Sequence, residues 1–405
     1  MSEPDIDRPP TTEDVAPQTR IGGIKIPKAA LRAYTMLIVL ILIWLFFQWA
    51  TADADNPYGT FLAPRNFSNL MRQTAVTGVL AVGMLMVIIT GQIDLSVGSV
   101  VGLAGGIAAA AGSQAWLGWG LVPALASGIV VGVLIGAAQG ALVAYANIPA
   151  LIVTLGGLLV WRGVIKGISQ GQTIPLELSA FKSLGQCYVA PVAGYIIAAV
   201  ACAAIIWLAL RRNRARRRHG FRPDSTLALA ARIIIPSAIV VGFIAYMNKW
   251  VGVPIPVVIL LAVALGGAFV TQNTTFGRYL YAIGGNPDAA RLSGISIRRH
   301  LLAVFCIMGA LAGVAALIYT SRVGSASPDA GVLLELDAIA ACVIGGASLM
   351  GGRGTVFGAC LGALFMASLD NGMSLKNVPD FTQDIVRGAI LVTAVGLDML
   401  GRKRA

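Results

Sequence analysis

The sequence predicts an all-α fold, a polytopic transmembrane bundle of about twelve helices and no fewer than about ten. Three observations carry this. Hydrophobic residues make up 57% of the 405-residue chain and charged residues only 12%, with a mean hydropathy of +0.80. A soluble domain of this length carries about twice that charge. The apolar residues fall into runs of about 17 to 25, the length of a helix that crosses a bilayer core. The 48 glycines add a dense bundle to the picture, because small residues let helix backbones approach closely in lipid.

Taken in order, the runs are 31–50, 73–90, 95–112, 119–146, 150–168, 192–210, 230–249, 254–271, 300–320, 331–350, 354–371 and 383–400. The first follows a polar tail and is too long for a signal-peptide core, so it reads as a retained anchor. Residues 1–30 read as a cytoplasmic tail, disordered over the acid- and proline-rich 1–20. The run at 119–146 is long enough to tilt. The transmembrane domain then covers 31–400, interrupted by a basic loop at 211–222 and a patterned loop at 274–299, and residues 401–405 form a short basic end.

Basic residues set the orientation. With both termini inside, most of the 30 lysines and arginines lie on cytoplasmic segments: "RRNRARRRHGFR", Arg278, Arg291, Arg298, Arg299 and the terminal "RKRA". Anionic lipid accounts for the 211–222 run, so its net charge assigns no nucleic-acid partner. Cys187, Cys202, Cys306, Cys342 and Cys360 form no CxxC pair, which suggests neither a metal site nor a disulfide framework. His219 and His300 sit among arginines at cytoplasmic edges. No catalytic set and no metal-ligand spacing is found.

Ala124, Gly128, Gly132, Gly136, Gly140 and Ala144 recur every fourth residue, and Gly354, Gly358 and Gly362 repeat the spacing. Each set lines one helix face and reads as a packing surface. Asp94 lies between two apolar runs, in "ITGQIDLSVGSVVGLAGG". It either caps a tight turn at the cytoplasmic rim or sits where a helix breaks inside the membrane. In the second case Asp94, Ser96 and Ser99 satisfy backbone groups that the break exposes. Acids at that depth often mark a pathway. "CVIGGASLMGGRGTVFGACLG" (342–362) echoes "MVIITGQIDLSVGSVVGLAG" (86–105), which suggests an internal repeat with a transport site between its halves. In the loop at 274–302, Asn286 and Asp288 are helix starters and Pro287 suits a first turn. The resulting amphipathic "DAARLSGI" is a handle for another protein or an interfacial helix on lipid.

"TGQIDLSVGS", "NIPALIVTLGGLLVWRG" (147–163), "FGRYLYAIGGNPDAARLSGI" and "ELDAIAACVIGGASLMGGRGTVFGACLGAL" together resemble the permease subunit of bacterial ABC monosaccharide importers. These are type II ABC importers of the ribose, galactose and xylose branch. The insertion at about 180–250 makes the chain most similar to the xylose-type permeases. The resemblance implies a permease dimer in the bacterial inner membrane, a homodimer being the simple case. ATPase subunits would dock on it and a periplasmic sugar-binding protein would feed it. It implies that Asn286, Pro287, Ala289, Ala290, Arg291 and Gly294 couple the chain to the ATPase. Asp94, Ser96, Ser99, Thr154, Gly345 and Gly346 become candidates for the translocation pathway. The chain has no GxxxxGK[ST] loop, and Gly-Lys does not occur in it. It therefore binds no cofactor of its own in this reading, and ATP-Mg belongs to the partner. The alternative is an ion-coupled secondary transporter working through membrane-depth acids.

Overall fold

A computed structural model describes residues 18–21, 24–52, 56–218, 220 and 224–403. Its helices are α1 (Lys28–Ala50), α2 (Pro64–Ile89), α3 (Val97–Gly112), α4 (Leu121–Ala144), α5 (Ala150–Ser169), α6 (Ser179–Gln186), α7 (Pro191–Arg218), α8 (Thr226–Asn248), α9 (Ile255–Asn273), α10 (Thr275–Gly285), α11 (Pro287–Leu292), α12 (Ile297–Val323), α13 (Leu334–Ile344), α14 (Val356–Leu375) and α15 (Asp380–Lys403). The only β structure among the described residues is three two-stranded ribbons, which join 18–21 to 24–27, 174–175 to 325–326 and 188–189 to 253–254. Eight helices are long and apolar enough to cross a membrane, and the described parts of α1 and α3 are shorter apolar helices.

All twelve apolar runs contain a helix, but they are not equal crossings. The run at 331–350 holds α13, which has 11 residues and spans about 16 Å, half of a bilayer core. Gly345 and Gly346, with φ of +87° at the latter, stop it where the sequence reading continues the span. α3 has 16 residues and also starts inside the protein. The basic loop expected at 211–222 is helical through Arg218, because α7 runs on past the apolar segment. Positions 219 and 221–223 lie outside the described residues. Of the N-terminal tail expected to be disordered, 1–17 and 22–23 lie outside the described residues, whereas 18–21 and 24–27 are paired backbone. Residues 401–403 continue α15, and 404–405 lie outside the described residues.

α2 is the axis of the bundle, with 89% of its apolar window buried. It is covered by α9, α12, α13 and α14. α4 and α3 pack on α12 as α14 and α13 pack on α2, and α3 meets α5 as α13 meets α15. The repeat therefore relates α2–α5 to α12–α15, with α3 matching α13. The echo read from the sequence paired α2 and α3 with α13 and α14 instead, because local glycine content stood in for position in the repeat. The C-terminal end of α2 lies beside α10, and α12 starts just after α11, so the two long helices run in opposite directions. The halves are thus inverted, the arrangement common in transporters.

The small-residue face of α4 makes the closest crossing. A Cβ on Gly132 would lie 2.1 Å from the carbonyl oxygen of Gly309, and one on Gly309 would lie 2.0 Å from that of Gly132. Gly136 stands in the same relation to Phe305, at 2.2 Å. Gly358 and Gly362 do likewise for α14, at 2.1 Å from the oxygen of Gly345 and 1.9 Å from that of Ala341. At Gly132, Gly136, Gly358 and Gly362 the predicted faces are therefore backbone-to-backbone contacts, where no side chain can yield, whereas Gly128 and Gly140 also meet side chains and Gly354 precedes α14 and lies against Leu85.

This geometry predicts that Gly132→Leu or Gly136→Leu destabilises the protein by at least the ~1–3 kcal/mol typical of overpacking. Thermal melting in detergent should fall for both. Gly242→Leu, at an exposed position where an added Cβ meets nothing within 4 Å, should leave it unchanged. Wild-type melting of the α4 variants would show that the crossing is not formed.

Candidate functional site

Two connections fold back into the bundle, residues 90–96 between α2 and α3 and residues 324–333 between α12 and α13; Asp94, Ser96, Ala330 and Gly331 are buried, whereas Gly91, Asp329 and Val332 are exposed. The connections meet at α3: a Cβ on Gly98 would lie 2.2 Å from the oxygen of Gly331 and 2.0 Å from Glu335 Oε2. The two short helices therefore begin side by side within the bundle. Chain breaks of this kind are tolerated at membrane depth only when buried in protein or lining a cavity.

The first break is closed by its own side chains. Thr90 N–H and Gly91 N–H donate to Val87 O at 3.1 Å and Ile88 O at 2.9 Å, and Gly91 takes φ +78° to turn the chain. Asp94, 3% exposed, accepts from Ser96 N–H at 2.9 Å and Ser96 Oγ at 2.6 Å. Its carboxylate thus caps the chain entering α3. Ser99 Oγ donates to Ser96 O at 2.7 Å, and Ser96 Oγ lies 3.0 Å from the Gln139 amide of α4. The structure brings Asp94, Ser96 and Ser99 together and buries all three where the chain passes from α2 into α3. The cavity beside Asp94, also lined by Gln139 and Met308, measures about 10 Å³, room for one water at most.

α5 fastens both breaks. Thr154 Oγ1, fully buried, donates to Ala150 O at 2.8 Å and reaches Ile93 O at 3.3 Å. Two turns further on, Arg162 Nη1 donates to Ala330 O at 2.6 Å and Pro328 O at 3.0 Å. The second break thus borrows a guanidinium where the first uses a hydroxyl. Lys166 pairs with Asp329 at 2.9 Å, but both are exposed, so the pair contributes little. Thr154 therefore joins the Asp94 cluster. Gly345 and Gly346 do not; they end α13, and Gly345 lets α14 approach. Outside the spanning segments, Glu177 accepts from Ser113 Oγ and Gln114 N–H, both at 2.7 Å. These bonds hold its carboxyl below the usual carboxylate range.

The 286–294 stretch forms a small surface element. Asn286 Oδ1 accepts from Ala289 N–H at 3.0 Å, Pro287 opens α11, and Gly294 at φ +81° ends it with its N–H on Arg291 O. Ala290 is buried, whereas Pro287, Ala289, Arg291 and Leu292 face outward, Leu292 by 90%. α10 joins this element to the centre. Gly284 fits so closely that an added Cβ would lie 1.7 Å from Ile89 O and 2.6 Å from Gly352 N. Gly352 N–H donates to that same Ile89 oxygen at 2.9 Å, satisfying a carbonyl at the end of α2. Tyr281 Oη donates to Gly354 O at 2.8 Å. An exposed helix, the end of α2 and the 350–354 turn thus form one junction, next to the break that holds Asp94.

Sequence reasoning missed Gly284, Tyr281, Gln139, Arg162, Glu335, Asp337 and Arg387. The charged four carry the same signal as Asp94, an ionisable residue in an apolar segment. Gly284, one of many glycines, shows no signal along the chain.

The family model described as "Branched-chain amino acid transport system / permease component" matches residues 66–218 and 219–395. The chain is similar to the xylose transport system permease protein XylH of Escherichia coli (strain K12), with 46% identity over 98% of this chain and 99% of the relative. XylH of Haemophilus influenzae is 43% identical over 94% of this chain and 99% of its own length. The ribose import permease protein RbsC of Escherichia coli (strain K12) is 33% identical over 94% and 98%. No solved structure gives a significant match.

The geometry of the first break separates two substitutions. Asp94→Asn keeps an acceptor oxygen for Ser96, so folding and transport should persist. Asp94→Leu leaves the Ser96 N–H without its acceptor, at about 1–3 kcal/mol, while the Ser96 hydroxyl keeps the Gln139 amide oxygen at 3.0 Å. Melting in detergent should drop for leucine and hardly move for asparagine. Equal, complete loss in both would mean that the charge itself is required.

Proposed function

The chain belongs to this permease family, and on that premise we propose that it is the membrane-spanning subunit of an ATP-driven ABC importer for xylose or a similar pentose. The observation that carries the reading is its likeness to xylose permeases along almost the whole chain. It is a multi-pass inner-membrane protein and not itself an enzyme: it supplies the path, and ATPase subunits using ATP-Mg supply the work. A periplasmic sugar-binding protein delivers the sugar. The chain acts as a homodimer with both termini in the cytoplasm.

The mechanism follows from the junction. The outward groups of α11, among them Arg291 and Leu292, bind the ATPase. Motion there is passed through α10, because Gly284, Ile89 and Gly352 are in backbone contact and close-packed backbone moves as a unit. The end of α2 and the break at 90–96 shift together with it. Asp94 keeps that break intact during the movement. The two bonds that its Oδ1 accepts from Ser96 suit a structural acid rather than one that loads an ion.

Proteoliposomes holding this chain, its ATPase and its binding protein should accumulate labelled xylose only with ATP inside the accessible nucleotide space, and an ionophore should not abolish uptake. Arg291→Glu should keep the chain folded but reduce co-purified ATPase and uptake together, about ten-fold or more for a lost interfacial hot spot. Uptake driven by an ion gradient without ATP would overturn the reading.

A further inference from the structure

A second cluster lies apart from the Asp94 break. Between α13, α14 and α15 a cavity of about 120 Å³ is lined by Leu333, Leu336, Asp337, Asp384, Arg387 and Leu391. That is roughly ten times what one ordered water requires, whereas the space beside Asp94 holds no more than one. Asp337 is 5% exposed, and its Oδ1 accepts no hydrogen bond. Arg387 Nε stands 4.0 Å from that oxygen, beyond hydrogen-bond reach. The guanidinium is instead spent on Asp370 Oδ1 at 2.9 Å and Asp384 Oδ1 at 3.3 Å. A buried carboxylate oxygen without a donor is strongly unfavourable, so this one is aimed at a donor that enters the cavity. Leu333, which forms part of the wall, has φ +66°. Leucine rarely adopts that conformation, and such strain clusters at ligand sites.

The chemistry of the walls selects the guest. Asp337 offers an acceptor, the Arg387 N–H groups other than those bonded to Asp370 and Asp384 offer donors, and leucines 333, 336 and 391 add aliphatic wall. A pyranose presents that combination: hydroxyl groups around its rim and a C–H face. We propose that this cavity is a sugar subsite, in which Asp337 accepts from a pentose hydroxyl and Arg387 donates to a neighbouring one. The proposal rests on the importer reading. The subsite lies toward the end of the molecule opposite α11: α15 starts where α14 finishes, and there Asn371 of α14 pairs with Asn66 at the start of α2. Sugar arriving from that end meets it before it reaches the level of Asp94.

Gly388 provides a clean test, because it lines the cavity and a Cβ there meets nothing within 4 Å. Gly388→Leu should therefore fill the subsite without disturbing the fold. In the reconstituted complex, uptake of labelled xylose should fall about ten-fold or more, with melting temperature and bound ATPase unchanged. Asp337→Asn should change the relative rates of pentoses that differ at one hydroxyl. Saturation-transfer NMR with millimolar xylose on the purified chain reads binding without ATP or partners, and Gly388→Leu should abolish a transfer seen in the wild type. Wild-type uptake and equal transfer in Gly388→Leu would overturn the subsite, as would a loss in Asp337→Asn that is uniform across sugars and accompanied by a lower melting temperature. A wild-type complex that shows xylose transfer but no ATP-driven uptake would instead overturn the importer reading.

Discussion

The arrangement depends on one constraint: backbone that leaves the helix inside hydrocarbon must find its hydrogen bonds within the protein. Each unmet group would cost several kcal/mol there. The buried parts of two connections that fold back into the bundle, 90–96 and 324–333, create this demand. Asp94 and Ser96 meet it for the first from within the break, and Thr154 reaches it from α5. Arg162, on the same helix, meets it for the second at Pro328 and Ala330. One helix thus holds both breaks in register, and both short helices, α3 and α13, start from the place so fixed.

A consequence is that the bundle must be dense around its breaks, which explains where glycine is placed. Gly132 against Gly309, Gly358 against Gly345 and Gly284 against Ile89 are all contacts in which a methyl group would strike backbone. Such contacts give up side-chain packing but leave little slack. A displacement at one end of a backbone contact therefore moves the other end.

Much of this was legible in the sequence. Run length and charge gave the helical bundle, the four-residue spacing gave the α4 face that packs on α12, and Asn286, Pro287 and Gly294 gave the bounds of α11, because each acts through local physics. What was illegible depended on partners far away along the chain. α13 reads as a full span because its neighbours are apolar, yet Gly345 and Gly346 stop it at Ile344. Arg162 pairs with carbonyls more than a hundred residues away, and nothing near position 162 announces them. Glycine-rich sequence made the 342–362 segment look like the counterpart of 86–105, while the packing pairs α13 with α3. Asp337 and Arg387 were visible as charges in apolar runs, but the cavity between them was not.

The central claim is that the exposed α11 element and the Asp94 break move as one through Gly284. Hydrogen exchange of the membrane-embedded complex, compared between the nucleotide-free and ATP-trapped states, tests it most directly. The account predicts that amide protection of 350–354 and 89–96 changes together with that of 284–294. A change confined to 286–294, with identical exchange at 89–96 in both states, would contradict it.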